Sequence, residues 1–360
     1  MTILGSKGPR WRAWSGPALR ILASGALATA VGIAQTPPAA KTKPRPAGPY
    51  GRAVMAVAVD PSAPGTLYAG TTGGVFQSTD GGVTWSALDP ALSGVSVGAL
   101  AIDGSSNSTV WIGTAAGIFK KTESGASRMP LDTEMGGLFV GALAIDPSSP
   151  STVYAGTGGG VFKSADGGAH WTEMSRGLTN QFVTTLAIDP SSSSTLYAAT
   201  NGGGVFKSAD GGGQWSGSSD GLRSTIVLGL AVDARSPPTL YALTVEGVFK
   251  SSDAARSWEP VNNGLASRFT MALAIDPTSR GTLYAGTASG VFRSADGGAR
   301  WTATSNGLTN QFITALAIDP TNPATLYAGT DGGLFKTVSG GSSWTELKRS
   351  NKERRAGSAD

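Results

Sequence analysis

Two kinds of side chain in this sequence invite a chemical reading. The first is the carboxylate next to the single histidine, in Ser164-Ala165-Asp166-Gly167-Gly168-Ala169-His170-Trp171. An Asp and a His that close could serve as a general base or hold a metal. The second is a set of three arginines, Arg176, Arg223 and Arg268. Guanidinium groups take carboxylates in bidentate geometry, so three of them on one surface would suit an acidic peptide or an anionic glycan.

The first reading does not survive the rest of the chain. The pattern Ser/Thr-x-Asp-x-Gly-x-x-Trp returns as STDGGVTW at 78–85, SADGGGQW at 208–215 and SADGGARW at 294–301. Weaker copies are SSDAARSW at 251–258 and TVSGGSSW at 337–344; TESGASRM at 122–129 has lost both Asp and Trp. At the His170 position the other copies carry Thr84, Gln214, Ser257, Arg300 and Ser343. A catalytic residue breaks symmetry, whereas Asp80, Asp166, Asp210, Asp253 and Asp296 obey it. Short Asp side chains accept hydrogen bonds from tight turns, and Gly supplies the positive φ. Trp85, Trp171, Trp215, Trp258, Trp301 and Trp344 then open a strand and bury a large apolar surface.

The elements that hold these turns repeat with one period. A phrase of the type Leu-Ala-Ile-Asp ends at Asp60, Asp103, Asp146, Asp189, Asp233, Asp276 and Asp319, at spacings of 43 or 44 residues. Each unit contains four short strand-like runs separated by turn clusters such as DPSSPS, GGG and ADGG. A unit of that length with four strands is one blade, and no blade buries enough apolar surface alone. The expected fold is all-β: a seven-bladed β-propeller with four antiparallel strands per blade, spanning 53–347. Both ends of that span fall in phase with the repeat, so blade one begins with its own inner strand and blade seven ends with its own outer one. The aromatic residues follow the same period. Seven Phe mark the third strand; six Tyr plus Trp111 mark the second. Six Trp open the fourth, with Met129 taken as the replacement in blade two, which is expected to be the least firmly held. A residue type recurring once per blade reads as inter-blade core rather than as a ligand platform.

The motif and its period resemble the Asp-box, or BNR, repeat of β-propellers such as sialidases, sortilin-type receptors, xyloglucanases and photosystem II assembly factors. That resemblance implies binding on the face of the crossovers between blades. It leaves three functions open: a non-catalytic binding or assembly module for a protein or glycan, a glycoside hydrolase, and a structural envelope repeat protein. Sialidase-like chemistry would need a free Tyr nucleophile with a Glu base, and the ring tyrosines are committed to the core. Xyloglucanase-like chemistry would need two symmetry-breaking carboxylates. The short loops favour the binding module, on the crossover face, with Arg176, Arg223, Arg268, Asn180, Gln181 and Phe182 as the candidate site. No catalytic residue, metal or cofactor is expected.

Charge and composition narrow the setting. Of 28 bases and 24 acids, four bases lie in 1–34, four in 35–52, and five with two acids in 348–360. The remaining 15 bases and 22 acids give the body a net charge of −7, so nucleic acid is not an expected partner. The absence of Cys removes disulfides and thiolate chemistry. Residues 1–34 combine a basic start with the apolar run 21–34 and end Gly32-Ile33-Ala34, as a cleaved signal peptide does. Residues 35–52 form a Pro-rich basic linker and 348–360 a basic tail expected to be disordered. The expectation is an exported monomer, periplasmic or extracellular, with no transmembrane span after cleavage.

Overall fold

The computed structural model describes residues 48–104, 109–122, 125–128, 138–233 and 238–348. The signal-peptide reading, most of the linker and all but Lys348 of the tail lie outside them, as does Met129. The described chain folds into seven four-stranded antiparallel sheets, each strand paired with its neighbour in sequence. This is the seven-bladed propeller that the period predicts.

Blade three shows why the sequence folds this way. Its strands are Val140–Ile145, Val153–Thr157, Gly160–Ser164 and Thr172–Glu173. The second strand is buried at every position, because neighbouring blades cover both of its faces. Gly156 sits where a Cβ would come within 2.6 Å of Val183 on the inner strand of the next blade. The glycine of the Tyr-Ala-Gly-Thr phrase is thus the socket for a β-branched residue of the following blade. Gly70 with Val97 and Gly286 with Ile313 repeat the fit.

The outer strand has only two residues and both are exposed. Two ladder residues contribute too little to hold it, at about 1 kcal/mol net per hydrogen bond. The preceding Trp supplies the anchor. Trp215, Trp258, Trp301 and Trp344 each donate through Nε1 to a carbonyl of the previous blade, at Met174, Ser218, Val261 and Thr304, over 2.7–2.8 Å. Their backbone N–H groups donate to Arg176, Asp220, Asn263 and Asn306, which lie on the crossover leaving the previous blade. Each of these four crossovers therefore straps the outer edge of the next blade before running inward. Burying one such side chain contributes roughly 1.5–3 kcal/mol.

The ring closes without exchanging a strand. Blade one keeps Val54–Val59 as its own inner strand, and blade seven keeps Thr345–Glu346 as its own outer strand. Val54, Leu67, Phe76 and Trp85 of blade one share a core with Tyr327 and Leu334 of blade seven. Tyr327 Oη and Lys336 Nζ both donate to Gly81 O, at 3.3 and 2.8 Å.

Blade two corrects one expectation. Its outer strand is Gly125–Arg128, and Ser127 faces Lys120 as Thr172 faces Lys163 in blade three. The position held by Trp171 therefore falls to Ala126, not to Met129. Without the motif's Asp and second Gly, the hairpin turns earlier, pairing Thr122 with Gly125.

Candidate functional site

Two faces follow from the connectivity. The turns after the inner strands share one face with the Ser-x-Asp turns, since Gly81 N donates to Gly65 O and Gly167 N to Ser151 O. The turns between second and third strands share the other face with the crossovers, as Gly94 N to Gly73 O records.

On the first face the carboxylates are turn formers. Ser164 Oγ donates to Asp166 Oδ1 at 2.8 Å and accepts from Gly168 N at 2.8 Å. Asp166 Oδ1 accepts from His170 N at 2.9 Å, and Oδ2 lies 2.6 Å from His170 Nδ1. Gly167 and Gly168 have φ of 70° and 94°, the conformation that makes Gly the natural residue there. Hydrogen bonds from the His170 backbone, from its ring and from Ser164 hold the Asp166 carboxyl well below the ordinary range. Asp253 is lowered to about 2 by the Ser257 hydroxyl, the Ser257 backbone N–H and Ser251. Asp210 and Asp296 are lowered first by the backbone N–H groups of Gln214 and Arg300. At Asp80 burial pushes upward, and Thr84 and Ser78 outweigh it. The strand-end acids are turn formers too: Asp60, Asp146, Asp189, Asp276 and Asp319 each accept from the backbone N–H of the Ser or Thr two residues on. Among the described residues no group of three or more potential ligands could hold a metal ion.

The aromatic sets belong to the core. Trp111 and the six tyrosines, the seven third-strand Phe and the six Trp are all buried. Burial and the nearby Asp189 and Asp319 push the hydroxyls of Tyr197 and Tyr327 up to about 12. A phenol raised that far is a poor source of phenolate nucleophile at neutral pH.

The candidate residues of the second face divide. Arg176, Arg223 and Arg268 are exposed, and among the described residues none makes an ion pair or a hydrogen bond through its guanidinium. They occupy different stations, five, eight and ten residues after Trp171, Trp215 and Trp258. Arg176 stands beside the outer strand of blade four, to which its carbonyl is bonded. Arg268 directly precedes Phe269 at the inner end, and Arg223 lies between these extremes. Asn180 is engaged in structure, donating to Asn201 O at 3.2 Å and accepting from Phe182 N at 2.9 Å. Asn310 does the same with Asp331 and Phe312. Gln181 is exposed, and Phe182 is 39% exposed.

Phe182 is part of a larger feature. The residue just before the inner strand is Phe139, Phe182, Ile226, Phe269 and Phe312 on blades three to seven, against Ala53 and Ser96 on blades one and two. Inner strands of consecutive blades touch around the central channel. These side chains therefore form an apolar arc at its mouth; Phe269 and Phe312 have ring centroids 6.4 Å apart. A cavity of about 220 Å³ within the channel is lined by uncharged residues including Ala56, Leu228, Met271 and Thr314. Ile226 in place of Phe interrupts the residue type but not the arc, which aligning the blades on their inner strands brings out. Arg293 is also invisible unless its repeat position is compared: Gln77, Lys120, Lys163, Lys207, Lys250 and Lys336 stand there in the other blades.

No family model matches the chain, and no curated protein matches it. Solved structures match its fold. A GH74 enzyme of Niastella koreensis is 22% identical with a TM-score of 0.71, over 83% of this chain and 54% of that one. The extracellular domain of a putative one component system from B. thetaiotaomicron is 17% identical, TM-score 0.64, over 80% and 38%. YCF48 bound to D1 peptide is 16% identical, TM-score 0.62, over 81% and 94%. The chain spans about half the length of the GH74 chain. At these identities the likeness is one of fold: this is a β-propeller. Among the described residues no helix is long and apolar enough to cross a membrane.

Proposed function

We propose that the chain is an exported, non-catalytic propeller of the Asp-box type that binds or assembles with a protein or glycan on its crossover face. The observation that carries this reading is the apolar arc from Phe139 to Phe312 at the channel mouth, with Arg268 adjoining Phe269 and Arg223 three residues before Ile226. Surface aromatics beside unpaired guanidiniums are the composition of binding hot spots. The displaced carboxylates on the opposite face all move downward and sit in turns, whereas glycoside hydrolysis needs an acid with a raised pKa. The proposed layout is a signal peptide at 1–34, a linker at 35–52, the propeller at 53–347 and a tail at 348–360, with a monomeric body on the outer side of a membrane.

A second reading, glycoside hydrolysis, draws on the fold likeness to the GH74 enzyme. One experiment separates them. Glycan and peptide arrays are probed with the wild type and with a variant carrying Arg176→Glu, Arg223→Glu and Arg268→Glu, beside a fluorogenic glycosidase panel. The binding reading expects array ligands that the variant loses at low salt, with thermal unfolding unchanged, and no product release. Turnover by the wild type, or binding indifferent to the three charges, would overturn it.

A further inference from the structure

The seams between blades repeat one device. A second-strand Tyr sends its hydroxyl to the first motif glycine of the next blade: Tyr154 to Gly211 O, Tyr241 to Gly297 O, Tyr284 to Gly340 O and Tyr327 to Gly81 O, at 3.2–3.3 Å. A third-strand Lys lies over the same ring. Lys120, Lys163, Lys207 and Lys336 sit 4.9–5.6 Å from the Trp111, Tyr154, Tyr197 and Tyr327 centroids. Three of them donate across the seam, to Gly167 O, Ala254 O and Gly81 O, at 2.8–3.1 Å. The Lys is thus a half-buried clasp.

Two departures from the repeat and one further arginine meet at the seam between blades six and seven. The clasp position holds Arg293, which pairs with Tyr284 in the ladder yet is exposed, and makes no side-chain hydrogen bond among the described residues. Four residues after the motif Asp296 of blade six stands Arg300, at a position that varies between motifs, exposed and likewise unengaged through its guanidinium among the described residues. Across the seam, the motif carboxylate of blade seven is replaced by Ser339. These side chains border a groove of about 620 Å³, within the range of small-molecule sites. Its wall also carries Asp296 and Asp276, and Ser342 on the blade-seven side. Asp296 takes its hydrogen bonds from Ser294 Oγ and Arg300 N at Oδ1, leaving Oδ2 as an acceptor among the described residues.

We propose that this groove binds a uronate residue of an acidic saccharide. Two guanidiniums supply the carboxylate with bidentate partners. Two carboxylates and the serine hydroxyls supply acceptors for ring hydroxyls. That mixture discriminates: a phosphate or a run of acidic peptide side chains brings negative charge against Asp296 and Asp276 without the several ring hydroxyls that a sugar can donate to them, while a neutral sugar leaves the guanidiniums unanswered. Loss of the motif Asp at 339 removes the one carboxylate that the other intact motifs would set at this rim. The site lies on the face opposite the crossovers and stands independently of the binding reading for that face.

The test is isothermal titration of the propeller with galacturonate and alginate tetramers, with cellotetraose and inorganic phosphate as further probes. Arg293→Lys restores the clasp residue of the other blades and Arg300→Thr restores the residue of the first motif, so both variants are compatible with the fold. The site expects one of the acidic tetramers to bind, at least tenfold weakening in each variant, weaker binding in high salt and no cellotetraose binding. Failure of both acidic tetramers to bind, equal binding of cellotetraose, or binding unchanged in both variants would overturn the site. Phosphate binding that displaces the tetramer one for one and equals it in affinity would reduce it to a simple anion site and overturn the saccharide assignment.

Discussion

The motif turns of blades four and seven have nearly the same backbone and different chemistry. In blade four, Asp210 Oδ1 accepts from Ser208 Oγ at 2.8 Å and from Gln214 N at 2.9 Å, while Gly212 N donates to Ser208 Oγ at 2.9 Å. In blade seven, Ser339 Oγ accepts from Ser343 N at 3.1 Å and Gly341 N donates to Thr337 Oγ1 at 3.2 Å. The paired glycines have φ of 71° and 93° in one and 62° and 89° in the other. The turn therefore requires an acceptor four residues before the N–H that precedes the strand-opening Trp, and the acceptor's charge is optional. Where the charge is absent, the adjoining seam is free to carry exposed arginines.

If the anchor is common to both blades and only the turn differs, the Trp should matter equally. Trp215 and Trp344 are both buried and each donates an indole N–H over 2.7 Å to the blade before. Trp215→Ala and Trp344→Ala should each lower the free energy of unfolding by about 3–5 kcal/mol. Denaturant melts of the two variants check this. A marked inequality would mean that the turn's carboxylate contributes to holding the outer strand, and the two turns would not be equivalent.

Whatever obeys the repeat was legible in the sequence. The 43-residue period carried blade number, strand order, ring closure and the core role of Phe, Tyr and Trp, because each is imposed equally on every blade. What breaks the repeat was harder to read, since it depends on contacts between residues 21 to 47 positions apart. Asn180 looks like a free polar group until its amide meets Asn201 O on the next blade. Arg176 and Arg268 both lie on crossovers, but one stands at the outer edge and the other at the channel mouth. The exposed Arg293 looks like a conservative replacement for Lys until the clasp across the seam is seen. In blade two, sequence alignment set Met129 against the Trp positions, and only the register of Ser127 with Lys120 moved that position to Ala126.

Blade five offers a smaller and opposite effect. It keeps Asp253 but replaces both glycines, and Ala254 and Ala255 take φ of 60° and 68°. The left-handed region strains a residue with a Cβ. Their positions are nevertheless maintained, as Ala255 N donates to Ser251 Oγ at 2.9 Å and Ala254 O accepts from Lys207 Nζ at 3.1 Å. Ala254→Gly should raise stability by roughly 0.5–1 kcal/mol, the relief of strain exceeding the added chain entropy of the unfolded state. A thermal melt shifted downward would show that the Cβ makes compensating contacts and that this turn is not a strained copy of the one in blade four.

The smallest effect separates charged turns from the neutral one by acid. Asp253 is lowered to about 2 in the folded protein, against an ordinary value near 4. A depressed carboxyl contributes its stability above the unfolded value, and that contribution fades as pH falls from about 4 through about 2. The Ser257 hydroxyl and amide, which donate to the Asp253 carboxylate, should then lose an ionised acceptor. In blade seven the corresponding acceptor, Ser339 Oγ, does not titrate in that range, so the Ser343 amide should keep its environment. Amide shifts and hydrogen exchange of Ser257 and Ser343, followed from pH 5 to pH 2, read the two directly. Loss of protection at Ser257 with Ser343 constant is the expected result. Parallel loss at both would mean that the turns are opened by unfolding of the ring as a whole. No change at either down to pH 2 would mean that a protonated carboxyl is as good an acceptor here as a carboxylate, so that charge is dispensable even in the turns that have it.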